Sequence, residues 1–280
     1  MGHFNYNGKI FEESKTVIGV NNRGLRYGDG LFETIKSSKA ELLFAAEHFE
    51  RLWNGLAFLQ FKIPTHLTRA RLQNEILQLL DKNGHNELAR IRLTLFRGNG
   101  GLFDEINHHP EYLIQTWALP DNAGQWNSNG LTMGVYTDAK KIRDKFSNLK
   151  HNNFLPYVMA ALHAKSEKWN DALVLNDAGR ICDSSIANIF LVKDEVISTV
   201  SLDEGCIAGV MRKNILKLLS ENKVKVQEVA IRVEDLLNAD EVFLTNSIFN
   251  IRWVQAIGDK KYSNRYTQKI YSEFLSTILK

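Results

Sequence analysis

The chain has 280 residues, 44% of them apolar and 24% charged, which suits one large domain or two of ordinary size and excludes a disordered chain. Thirty-five Lys and Arg against 32 Asp and Glu leave a net charge of +3, and no run concentrates the basic residues, so nucleic acid is not the expected partner. No segment reaches the roughly 18 consecutive apolar residues that suggest a membrane span.

In chain order, residues 4–11 are strand-like around Asn7-Gly8, a pair that favours the left-handed backbone of a tight hairpin turn. A glycine-rich stretch, 23–30, precedes an apolar segment, 31–35. Leu52, Leu56 and Leu59 at helical spacing predict a helix over 47–59, and a second is expected over 67–81, ending near Asn83-Gly84. Ile91, Leu93 and Leu95 fall on one face of a strand over 89–96, and another strand is expected over 112–118. Pro, Asp, Asn and Gly within 119–124 mark a linker between a 1–118 domain and a 125–280 domain. Beyond it, Pro156 opens a helix over 154–167, and 172–175 and 188–192 read as strands around a turn at 177–179. Residues 207–220 read as a helix, 241–245 as a strand and 267–279 as a terminal helix. The fold class is α+β or α/β.

Cys182 and Cys206 are the two cysteines, and they read as free thiols of a reducing compartment. Residues 1–11 lack the apolar core of a secretory signal, so the cytoplasm is the expected location.

Four local features carry possible chemistry. Gly209 stands where a helix begins, and a helix start leaves N–H groups that suit a phosphate, though a plain helix start has the same sequence. His48, Arg51 and Gly55 share a helix face beside the leucine stripe; Arg51 there is either solvated or paired with an anion. Arg97 continues the inward phase of Leu93 and Leu95 and is followed by Gly98, Gly100 and Gly101, a loop with room for a ligand. Lys150 precedes a helix; a desolvated lysine can form a Schiff base, but nothing local singles this one out.

Taken in order, six segments resemble the class IV pyridoxal-phosphate family, which holds branched-chain aminotransferases, D-amino acid aminotransferases and 4-amino-4-deoxychorismate lyases. They are Asn22-Arg-Gly-Leu-Arg-Tyr-Gly-Asp-Gly-Leu-Phe-Glu-Thr34, His48-Phe-Glu-Arg51-Leu52, Asn148-Leu-Lys150-His-Asn-Asn153, Asp183-Ser-Ser-Ile-Ala-Asn188-Ile-Phe190, Gly209-Val-Met-Arg212, and Ala239-Asp-Glu-Val-Phe-Leu-Thr245-Asn-Ser247. The match is collinear over nearly the whole chain. It implies an α+β, two-domain fold-type IV enzyme, with a small α+β N-terminal domain, a larger C-terminal domain with a β-barrel-like core, and pyridoxal 5'-phosphate in the cleft between them. It also implies a homodimer.

By the same resemblance Lys150 holds the cofactor as a Schiff base and then acts as general base. Arg51, the backbone of Gly209, Val210 and Met211, and the Asn246/Ser247 loop hold its phosphate. Asn188 belongs to the cofactor site, and Asp183 faces the pyridine nitrogen. Arg97, with Tyr27 and Arg26, is assigned to substrate carboxylates, and the 99–109 loop to substrate choice. No metal is implied. The family usually has glutamate where Asp183 stands, five residues before the asparagine. Aspartate is one methylene shorter, roughly 1.5 Å, so the backbone sits closer, a water bridges, or the ring is less strongly protonated.

The activity expected first is transfer of an amino group between an amino acid and a 2-keto acid, for which Phe32-Glu-Thr34 resembles the common pattern. The alternative is 4-amino-4-deoxychorismate lyase, releasing pyruvate and 4-aminobenzoate for folate synthesis. Arg97-Gly-Asn-Gly-Gly101 and Leu149-Lys-His151 lean that way.

Overall fold

A computed structural model describes residues 2–103 and 107–278, so residues 104–106 of the loop assigned to substrate choice lie outside the described residues, as does the last residue of the expected 267–279 helix. The chain forms two compact units, residues 1–123 with 150–153, and residues 124–149 with 154–280.

The first unit holds β1 (His3–Tyr6), β2 (Lys9–Glu12), α1 (Arg23–Tyr27), β3 (Gly30–Ser38), β4 (Glu41–Leu42), α2 (Ala45–Phe58), α3 (Arg69–Asn83), β5 (Leu88–Arg97) and β6 (Pro110–Ala118). Its six strands pair antiparallel in the order β2-β1-β6-β5-β3-β4. The β1–β2 hairpin turns at Asn7 and Gly8, whose φ values of 50° and 83° explain the Asn-Gly pair. Along β3 and β5 the residues Ile35, Ile91, Leu93 and Leu95 are fully buried, as are Leu56 of α2 and Leu72 and Ile76 of α3. The sheet thus carries its apolar face inward and helices cover it, the layered solution for half-apolar elements. α3 runs on to Asn83 and is closed by Gly84 in the left-handed region.

The second unit holds β7 (Leu131–Lys141), α4 (Leu155–Ser166), β8 (Asp171–Asn176), β9 (Ile181–Ser184), β10 (Asn188–Lys193), β11 (Val196–Val200), α5 (Val210–Glu221), β12 (Val226–Val229), α6 (Val233–Asn238), β13 (Glu241–Asn246), β14 (Asn250–Ile257), β15 (Lys260–Lys261) and α7 (Arg265–Ile278). Its mixed sheet runs β12-β11-β10-β13-β14-β7-β8-β9, with β15 on β14. Leu173, Ile181, Ile189, Val242 and Val254 fill the core of this β-barrel-like sheet.

Two sequence expectations need correction. The turn at 177–179 leads from β8 into β9, not towards β10; the polar residues Asp183 and Ser184 hide this short strand because their groups are satisfied inside the protein. The helix expected from 207 starts at Val210. Ile207 donates its N–H to Asp183 and accepts from Asn188 through its carbonyl, and Ala208 donates to the Asn148 carbonyl, so tertiary hydrogen bonds hold 207–209 extended against helical propensity.

Candidate active site

In the first unit the Lys150 segment lies along the start of β3. The Phe32 N–H donates to the Lys150 carbonyl at 2.9 Å and the Asn152 N–H to the Gly30 carbonyl at 3.0 Å. This docking explains the Gly-Asp-Gly pattern. A Cβ on Gly28 would stand 2.3 Å from Asn153 Oδ1, and one on Gly30 2.3 Å from the Leu95 carbonyl and 2.7 Å from Asn152 Nδ2. The half-buried Lys150 projects its Nζ to 4.6 Å from the centre of the Phe32 ring.

Behind Phe32, Glu33 points to the other side of β3, 2% exposed. It accepts from Arg51 Nε at 2.8 Å and Nη2 at 2.5 Å, and lies 2.7 Å from His48 Nδ1. Burial pushes the Glu33 carboxyl up, but Arg51 and His48 outweigh it and hold the group down at about 2. Burial likewise pushes His48 down from its ordinary range. Glu33 was not singled out from the sequence, although a lone acid inside the apolar 31–35 segment was the signal.

Arg97 is buried, as its strand phase predicts, and its Nη1 donates to Asp29 Oδ1 at 2.5 Å while Nη2 donates to the Leu59 carbonyl. Its guanidinium also stacks 4.2 Å from the Phe61 ring centre. Asp29 bonds Arg23 as well, at 2.9 Å. Arg26 is exposed on α1, with its guanidinium 5.0 Å from the half-buried Tyr27 ring.

In the second unit, Asp183, Asn188, Gly209 and Thr245 come together. Asn188 Nδ2 bridges Asp183 Oδ1 at 2.8 Å and the Ile207 carbonyl at 2.9 Å, so this side chain braces the site. A Cβ on Gly209 would stand 2.0 Å from Asn188 Oδ1, which requires glycine there. Gly209 caps α5 with no side-chain hydrogen bond, and no acidic residue lies in the helix's first turn. Val210 and Met211 are buried at that helix start. Thr245 pairs with Asn188 across β10 and β13, and its Oγ1 is buried with no hydrogen-bond partner among the described residues. Asn246 closes the following turn by accepting from Ile248 and Phe249, and Ser247 beside it is half-buried.

Comparison with known proteins decides the family. The amino-transferase class IV model matches residues 30–257. The chain belongs to the class IV amino-transferase family. It is 30% identical over 246 residues to an aminodeoxychorismate lyase of Vibrio harveyi, covering 87% of this chain and 88% of that one. It is 29% identical over 266 residues to a putative branched-chain-amino-acid aminotransferase of Methanocaldococcus jannaschii, covering 94% and 91%. Among solved structures, the branched-chain aminotransferase of Thermoproteus uzoniensis with norvaline superimposes with a TM-score of 0.87 at 22% identity, over 99% of this chain and 95% of that one. The fold is therefore fold-type IV, α+β with two sheets, and the chain is an enzyme.

Class IV amino-transferases depend on pyridoxal 5'-phosphate, and the residues present fit it. An uncapped helix start over an obligatory glycine suits a phosphate, since its N–H groups and dipole both favour an anion. The buried Thr245 hydroxyl is a donor that no group among the described residues uses. In the first unit, Lys150 places a primary amine 4.6 Å from the centre of the Phe32 ring. Among the described residues, no helix is long and apolar enough to cross a membrane.

Proposed function

We propose that this enzyme moves an amino group between an amino acid and a 2-keto acid, with Lys150 holding the cofactor. The observation that carries the reading is the docking of the Lys150 segment on β3, which fixes its amine against the Phe32 ring. Bound pyridoxal phosphate supplies an aldehyde for that amine and a ring that takes up an electron pair. Lys150 would take the proton from the substrate's α-carbon and return one. Arg51 carries charge toward the phosphate while Glu33 fixes its guanidinium. The N–H groups of Val210 and Met211, the Thr245 hydroxyl and the Asn246/Ser247 turn complete the phosphate cradle. Asp183 would accept from the ring nitrogen of the bound cofactor.

The substrate carboxylates fall to Tyr27 and Arg26. The commitment of Arg97 to Asp29, Leu59 and Phe61 favours a role in shaping the loop after β5. On the Phe32 side of the sheet, Lys36 stands opposite Arg90 and Thr34 opposite Arg92. The Arg92 guanidinium lies 3.8 Å from the Phe32 ring centre, and burial pushes Lys36 down to about 8. Arg92 and Lys150, which both approach the Phe32 ring, suit a substrate with a second carboxylate. That observation also favours the second reading, a lyase on 4-amino-4-deoxychorismate, which the Vibrio harveyi relative supports.

The enzyme acts in the cytoplasm as a homodimer. Leu155, Val158, Met159 and Leu162 form an exposed apolar stripe at i, i+3, i+4 and i+7 on α4, opposite its buried Tyr157, Ala160 and Ala164. A helix apolar on both faces needs a second cover, and a second copy is the simplest.

The deciding assay offers the loaded enzyme L- and D-amino acids, acidic ones included, with 2-oxoglutarate or pyruvate, and separately 4-amino-4-deoxychorismate. Keto-acid formation without 4-aminobenzoate is the expected result. Rapid 4-aminobenzoate release with negligible transamination would replace the proposal with the lyase.

A further inference from the structure

Asp183 sits on β9, 2% exposed, paired with Val174 of β8 and beside the Ile207 backbone. A carboxylate buried alone in such surroundings holds its proton, because desolvation penalises the charge. Here it is not alone. Its Oδ2 accepts from Tyr157 Oη at 2.7 Å and from the Ile207 N–H at 3.0 Å, and its Oδ1 from Asn188 Nδ2 at 2.8 Å. Behind Tyr157 lies a second charge. Lys141 Nζ donates to Tyr157 Oη at 2.7 Å and to the Ser147 carbonyl at 2.7 Å, and stands 3.7 Å from Asp183 Oδ2. Lys141 itself is buried at the end of β7. The Tyr157 ring is stacked on Phe154 at 4.3 Å, so the hydroxyl that receives from Lys141 and gives to Asp183 has a fixed place.

We propose that Tyr157 and Lys141 are positioning residues that keep Asp183 charged and aimed, so that the proton of its hydrogen bond to the cofactor rests on the ring nitrogen. The inference rests on the reading above that Asp183 faces that nitrogen. In a shared hydrogen bond the proton stays with the more basic partner. A neighbouring ammonium and three donors make a carboxylate less basic, which moves the proton to the ring. A glutamate could reach the ring with its extra methylene; this shorter acid is instead clamped from behind.

The other ionisable groups around Asp183 do not compete for the role. Burial, and then the Asp183 charge, push the Tyr157 phenol and the Cys182 thiol well above their ordinary values. The same two causes push Cys206 up to about 12. All three stay neutral, and the ion pair of the cluster is Lys141 with Asp183.

The test loads the full-length enzyme with pyridoxal phosphate labelled with ¹⁵N in the ring and follows the nitrogen shift with pH. Tyr157→Phe removes only the hydroxyl, and Lys141→Met only the charge; melting curves establish that each folds. Both should lower the ratio of protonated to neutral ring nitrogen by about tenfold or more, one unit on the pH axis. A ¹³C-carboxyl titration of the cofactor-free protein should show Asp183 taking its proton at higher pH in Lys141→Met. Asp183→Asn separates the two readings. If it neutralises the ring while Tyr157→Phe and Lys141→Met leave it protonated as in the wild type, the positioning role is overturned and the Asp183 reading stands. If Asp183→Asn also leaves the ring protonated, Asp183 is not the partner of the nitrogen, and both readings fall.

Discussion

Glu33 shows how one residue ties the candidate site to stability. Its carboxylate is buried between Arg51 and His48 and held at about 2. The folded-state value lies below the ordinary 4.5, so the contribution of this cluster is complete above about pH 4.5 and is lost as the pH falls towards 2. Glu33→Gln should cost about 3 kcal/mol near neutral pH. Urea denaturation at stepped pH should show the gap between wild type and variant closing in that acidic window. A gap that persists at pH 2 would mean that the ion pair is not its source. Single residues were unevenly legible in the sequence. The inward phase of Arg97 followed from the alternation of Ile91, Leu93 and Leu95, and its burial agrees. The partner that Arg51 finds within the protein is Glu33, on a strand 18 residues away. Tyr157 and Lys141 left no local trace, because what marks them is a hydrogen-bonded contact with Asp183 on a separate strand.

At the scale of elements, the start of α5 carries the most specific claim. Asn188 is clamped by Asp183 and Ile207, so it cannot retreat from a Cβ placed 2.0 Å away. Gly209→Ala should therefore weaken pyridoxal-phosphate affinity by about tenfold, equivalent to about 1.4 kcal/mol, with little change in far-ultraviolet circular dichroism. An unchanged affinity would argue against the cradle. Hairpin β1–β2, helices α2 and α3 and strand β5 were legible because turn chemistry and hydrophobic period agree there. Strand β9 and the true start of α5 were not. In both places polar side chains find their partners through the fold, so local pattern understates the order.

For the whole molecule, the apolar stripe on α4 makes the assembly testable. Replacing Leu155 and Leu162 together with Asp should convert a dimer to a monomer in sedimentation velocity, since both are more than half exposed in the single chain. A wild-type monomer, or a variant dimer, would remove α4 from the interface. The family was legible from the order of six short segments, none sufficient alone, while the amino donor was not, because Lys36, Arg90 and Arg92 are brought to one sheet face only by the pairing of β3 with β5. The central claim is that Lys150 holds the cofactor, and the most direct measurement is borohydride reduction of the loaded enzyme followed by peptide mass spectrometry. The account predicts a phosphopyridoxyl adduct on Lys150, lost in Lys150→Ala. An adduct on Lys36 or Lys141 instead, or equal labelling in the Lys150→Ala variant, would contradict it.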